Sequence, residues 1–225
     1  MAPSDPAPRA EPAVGGPSLR EVLGGRGGAV DASVPVVVFV IAWLVAEAVA
    51  TPLAVAWAAG AALASGIVVA GFRFVRGERP RAVLLGLLGV VAAAGVALWT
   101  GRAVDFFLLQ MVGNAASALV WAVSIVVRWP LLGVVVGTVL GQRARWRRDP
   151  ALLRAYQRAS WVWVAQYLVR LAVFIPLYLA GAVVALGVAR VALTAPLVFA
   201  CVVVSWWVLR AALPAGHPGL RHPQG

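Results

Sequence analysis

The sequence predicts an all-α membrane protein: six transmembrane helices, a short interfacial or re-entrant half-helix, and both termini on the cytoplasmic side. Three observations carry that prediction. Hydrophobic residues fill 62% of the 225 positions and charged residues only 12%, too little polar surface for a soluble domain of this size. The apolar residues come in runs close to the ~20 that cross a bilayer core. The cations also alternate, since 16 of the 19 arginines fall in every second gap between runs or in the tails. Short cationic loops resist translocation, so such alternation records orientation. With no lysine present, the +11 net charge rests on arginine alone.

Residues 1–32, rich in Pro, Ala and Gly, read as a disordered cytoplasmic tail without the apolar core of a secretory signal. Ser18 and Glu21 have capping-box spacing. The Gly24–Gly28 cluster follows no strand and lacks a Lys-Ser/Thr pair, so it reads as linker and not as a phosphate loop. The first two spans, about 34–50 and 53–74, are joined by a Thr51–Pro52 turn without arginine. Arg73, Arg76, Arg79 and Arg81 then mark a cytoplasmic loop. The third and fourth spans, about 82–99 and 106–127, meet across a short outer turn.

Residues 130–141 are apolar but too few to cross, covering about 18 Å at 1.5 Å per residue. If they crossed, Arg143, Arg145, Arg147 and Arg148 would face outward, against the charge rule. They are therefore expected to form the half-helix, with Pro130 in its first turn. Asp149 before Pro150 is a helix start. The fifth and sixth spans are expected near 160–180 and 188–209, and residues 213–225 form a second cytoplasmic tail. Tryptophans 99, 129, 146, 161, 163, 206 and 207 fit aromatic belts at the interfaces.

Composition narrows the chemistry. The single cysteine, Cys201, excludes an intrachain disulfide, and His217 and His222 both lie in the tail, too few ligands for a protein-held zinc. No metal site and no cofactor are expected. Glu47, Glu78, Asp105 and Asp149 are scattered singly, without the clustered acids or His–acid pair of a lipid-metabolising enzyme, so a non-enzymatic protein is expected. The basic balance points to anionic lipid headgroups, not nucleic acid, because the arginines sit at membrane edges.

Four groups of residues stand out. Gln110, Asn114, Ser117, Trp121, Ser124 and Arg128 share one face of the fourth span, and lipid cannot satisfy such a stripe. Arg170, with Gln166 one turn away, lies near the midplane of the fifth span. An arginine there costs at least ~2.5–3.5 kcal/mol on insertion scales and requires partners. Asn114, Gln110, helix-end carbonyls and Glu47 are the candidates. Gln110, Asn114, Ser117, Gln166 and Arg170 thus form either a polar midplane site or an interhelical clamp. Arg102 and Asp105 form an outer-face pair, read either as a cap of the fourth helix or as a site for an external anion.

Gly133, Gly137 and Gly141 repeat a GxxxG step that serves helix docking within the chain or, alternatively, a homo-oligomer. Finally, Arg143, Arg145, Trp146, Arg147, Arg148, Arg154 and Arg158 form a basic segment, 142–158, suited to anionic lipid.

Four stretches resemble an uncharacterised actinobacterial family of small integral membrane proteins catalogued as domain of unknown function 3159. They are Thr100-Gly-Arg-Ala-Val-Asp-Phe-Phe107, Ser124-Ile-Val-Val-Arg-Trp-Pro-Leu-Leu-Gly133, Trp146-Arg-Arg-Asp-Pro150 leading to Tyr156, and Arg170-Leu-Ala-Val-Phe-Ile-Pro-Leu-Tyr178. The resemblance covers roughly residues 33–210. It implies a multi-pass protein of the bacterial cell membrane and assigns no activity, substrate or catalytic residue. A looser similarity reaches the intracellular septation protein A family, which also places a short Pro-Leu half-helix before a tryptophan-led helix. Together these readings lead to a non-enzymatic envelope protein working through lipid or partner contacts. The alternative is a small-solute transporter or channel using Asn114 and Arg170.

Overall fold

The computed structural model describes residues 25–78, 80–142, 144–214 and 219. The Ser18–Glu21 pair, Arg79, Arg143 and both histidines lie outside the described residues, as does most of each tail. Helices are the only regular elements among the described residues. They are α1 (Gly25–Ala48), α2 (Ala54–Val75), α3 (Pro80–Thr100), α4 (Leu108–Val126), α5 (Leu131–Val139), α6 (Pro150–Leu179) and α7 (Val183–Ala212). Six of these, all but α5, belong to segments long and apolar enough to cross a membrane. The chain is a multi-pass membrane protein whose regular elements, among the described residues, are α-helices and short 3₁₀ turns.

Helix boundaries run past the expected spans where end signals were under-read. α1 already begins at Gly25, inside the stretch read as linker. α7 begins at Val183 instead of residue 188, because the chain reverses in three residues, 180–182. Gly181, at φ 69°, takes the left-handed conformation that glycine tolerates. The Ala182 and Gly181 amides then donate to the Leu177 and Tyr178 carbonyls and close the end of α6. This moves Arg190 from the rim of the last span to its eighth residue, about 10 Å along the axis. At its other end α6 starts as expected, with Asp149 Oδ1 accepting from the Ala151 and Leu152 amides at 3.0 and 3.2 Å.

The bundle has an arginine-bearing end, with Arg73, Arg76, Arg81 and residues 144–158, and an opposite end where α3 turns into α4. Small residues set the packing. α2 buries Ala54, Ala58, Ala62, Gly66 and Ala70, a stripe at four-residue spacing that lets α1 and α3 approach closely. Large apolar side chains such as Ile67, Leu85 and Phe199 face outward, as they must when the solvent is lipid.

Two buried cores decide the architecture. The first lies at the opposite end and draws on both halves of the chain. It joins Phe39 of α1 and Ala58 of α2 to Ala94 of α3, Phe106 and Phe107 of the connecting turn, Phe174 of α6 and Leu186 of α7. Phe39 stacks on Phe106 with ring centroids 3.9 Å apart. The second core, at the arginine-bearing end, contains Leu132, Trp146, Leu152, Tyr156 and Leu209, all from α5 onward. α1–α3 therefore share a buried core with α4–α7 at one end only. α3 and α4 pack sparsely on each other, and the two groups diverge toward the arginines.

Candidate binding cleft

The divergence leaves a cavity of about 450 Å³ whose walls are α1, α2, α3 and α4, with Arg190 of α7 reaching in. Three of the five residues expected at a midplane site line it: Gln110, Asn114 and Ser117. Their seven-residue spread on α4 turns one stripe toward the cleft. Asn114 is 6% exposed, and its Nδ2 has no hydrogen-bond partner among the described residues, nor has Gln110 Oε1. Buried polar atoms ordinarily find partners; other buried atoms without one, such as Ser160 Oγ and Gln166 Oε1, lie away from this cavity.

The stripe continues, but its lower half is structural. Trp121 stacks on Trp163 with centroids 5.2 Å apart. Ser124 Oγ donates to the Trp121 carbonyl at 2.7 Å and accepts from the Leu131 amide at 3.3 Å, which anchors the start of α5. Arg128 ends α4 in the left-handed region, at φ 58°.

Arg170 does not join the cleft. Its Nη2 donates to the Leu193 and Thr194 carbonyls of α7, at 3.3 and 3.4 Å. Pro196 lies within the same stretch of α7. The partners are thus backbone carbonyls in the middle of α7 and not the helix-end carbonyls expected, and Asn114 and Gln110 are not among them. Glu47 is exposed in the last turn of α1. Gln166 is buried on α6, away from the cavity lining.

Arg190 is the residue that sequence reasoning missed. It falls at the start of the expected 188–209 span, whereas the helix begins at Val183. Seven residues into α7, it matches the depth of Asn114, six residues into α4, to within a turn. At the arginine-bearing end of the cavity, Arg73 Nη2 pairs with Glu78 Oε2 at 2.6 Å, and Asp31 Oδ2 with Arg76 Nη1 at 3.4 Å.

The other expected groups resolve as follows. Asp105 does not cap the fourth helix. It is the third residue of a 3₁₀ turn, Ala103–Phe107, and the residue before α4, Phe107, offers no side-chain cap. Its buried carboxylate instead accepts from the Tyr178 hydroxyl at 2.6 Å, with Arg102 Nη1 3.9 Å away.

Trp146, expected against lipid, is 1% exposed and packs edge-on to Tyr156 in the second core. Its apolar ring folds back because Gly133 leaves room for it: a Cβ there would lie 2.9 Å from the indole. Gly137 is buried, and Gly141 (φ 66°) closes α5 as Gln142 and Gly141 amides donate to Gly137 and Thr138 carbonyls. Arg145, Arg147, Arg148, Arg154 and Arg158 are exposed, with Arg147 stacked 3.8 Å over Trp129.

The described residues hold no group of three or more His, Cys, Asp or Glu able to take a metal ion. No curated protein and no solved structure matches the chain significantly. One family model does, over residues 23–216, and it is described as a protein of unknown function, DUF3159. That span takes in every helix from α1 to α7 and all but the tails, so the chain belongs to the DUF3159 family.

Proposed function

We propose that this chain is a non-enzymatic, multi-pass protein of the bacterial cytoplasmic membrane, with both termini inside, whose cleft takes up a small ligand. The distribution of arginines supports the orientation. One observation carries the binding reading: Asn114 and Gln110 keep unpaired polar atoms on the wall of a 450 Å³ cavity. Two helix groups joined at one end by a shared core have the form of a solute carrier or receptor, with the arginine-bearing mouth facing the cytoplasm. Thiol labelling in native membranes tests it, using Asn114→Cys with Cys201→Ala. A small membrane-impermeant reagent reaches the cysteine if the cleft is open to water, whereas protection from both sides in folded protein refutes the reading.

A second reading, a scaffold held by interhelical clamps and lipid contacts, is favoured by Arg170, whose Nη2 donates to the Leu193 and Thr194 carbonyls. The exposed arginines of the 144–158 segment would each contribute about 1 kcal/mol of attraction to an anionic leaflet. The two readings are compatible, since they use different residues.

A further inference from the structure

Arg190 places a guanidinium in the cleft, and no side-chain or backbone acceptor lies on it among the described residues. The other charges of the cleft are already matched, Arg73 by Glu78 and Asp31 by Arg76. One positive charge is therefore left over. The free hydrogen-bonding groups around it are suited to the same task. Asn114 Nδ2 is a donor, and a half-turn of the Gln110 amide presents a second. An unmatched guanidinium inside a membrane protein is costly, and a counter-charge removes the cost. The rest of the cavity wall is apolar, including Val36, Val69, Val90 and Leu109. α3 and α4, which wall the cavity, pack only sparsely on each other.

Resting on the cleft reading above, we propose that the ligand is a singly charged oxyanion carried on an apolar chain. A fatty-acid carboxylate and an acidic phospholipid both have this chemistry. The oxyanion sits on the Arg190 guanidinium and Asn114 Nδ2, the forked geometry that arginine offers to carboxylate and phosphate. The chain lies along the α3 wall.

The test uses the full-length protein in phosphatidylcholine nanodiscs with Ser117→Cys as reporter and Cys201→Ala as background. Ser117 lines the cleft but contributes no donor to the proposed site. A small cationic thiol reagent is added, and its rate is followed with oleate, with phosphatidylglycerol or with acetate. Oleate or phosphatidylglycerol should slow labelling at least tenfold, and acetate at equal concentration should not. Arg190→Gln should abolish the protection and Arg190→Lys should keep most of it. Labelling that neither oleate nor phosphatidylglycerol slows overturns the proposal but leaves the cleft reading intact. So does protection that survives Arg190→Gln. Equal protection by acetate overturns the apolar-chain part in favour of a free anion. If Ser117→Cys never labels in folded protein, the cleft reading itself has failed.

Discussion

The Tyr178 hydroxyl donates a 2.6 Å hydrogen bond to the buried Asp105 carboxylate, tying α6 to the turn between α3 and α4. This is the end of the bundle where the two helix groups share a core, so the bond fixes the apex of the cleft. Hydrogen bonds to charged groups contribute about 1.5–3 kcal/mol. Tyr178→Phe should therefore lower unfolding stability in detergent by about 2 kcal/mol, since it strands part of a buried carboxylate. Equilibrium unfolding measured side by side with the parent checks this, and an unchanged midpoint would contradict it.

Gly187 and Val40 hold the same apex from another side. A Cβ on Gly187 would stand 2.6 Å from Val40 Cγ2, where α1 crosses α7. Gly187→Ala should cost about 1–3 kcal/mol by overpacking. Val40→Ala in the same chain should recover much of that loss. A double-mutant cycle measures the coupling; simple additivity would show that the contact is not what limits the approach.

Gly133 meets Trp146 within the same chain, which gives its GxxxG spacing an intramolecular use. Gly133→Ala should loosen α5 from α6 and raise Trp146 fluorescence quenching by a water-soluble quencher. The oligomeric state by light scattering should stay as it was. A change in oligomeric state without a change in quenching would favour the dimerisation reading.

Much of the fold was legible in the sequence because lipid imposes one-dimensional rules. Six apolar segments, the Asp149–Pro150 start and the non-spanning α5 follow from length, capping and charge alone. The partners of those helices were not legible. Arg170 and Asn114 lie on facing helices at a similar expected depth, yet Arg170 rotates toward the carbonyls near Pro196, and only tertiary packing decides that. Arg190 was hidden by five residues of helix boundary. Gly181 was the available signal, since glycine just past a helix end permits a tight reversal. Tyr178 was invisible as a partner of Asp105 because the two are 73 positions apart.

Gly89 lines the cleft, and a Cβ there would meet nothing within 4 Å. Gly89→Leu should fold well, gaining up to about 1 kcal/mol in helix propensity, while filling space that a ligand needs. The expected pair of outcomes is an unfolding midpoint at or above the parent's and at least tenfold slower labelling of Ser117→Cys. Unimpeded labelling in this variant would mean that the cavity is not the route to Ser117.

Comparing Asn114→Cys with Gln166→Cys, each in the Cys201→Ala background, tests the central claim most directly. Both parent side chains are buried, at 6% and 3% exposure, and both are polar residues on membrane helices. Only Asn114 lines the cleft. In native membranes a small impermeant thiol reagent should label position 114 readily and leave position 166 untouched until the protein is unfolded. Equal protection of both, in protein that remains folded, would show that the cleft is dry and that its polar wall serves only to hold the helices together.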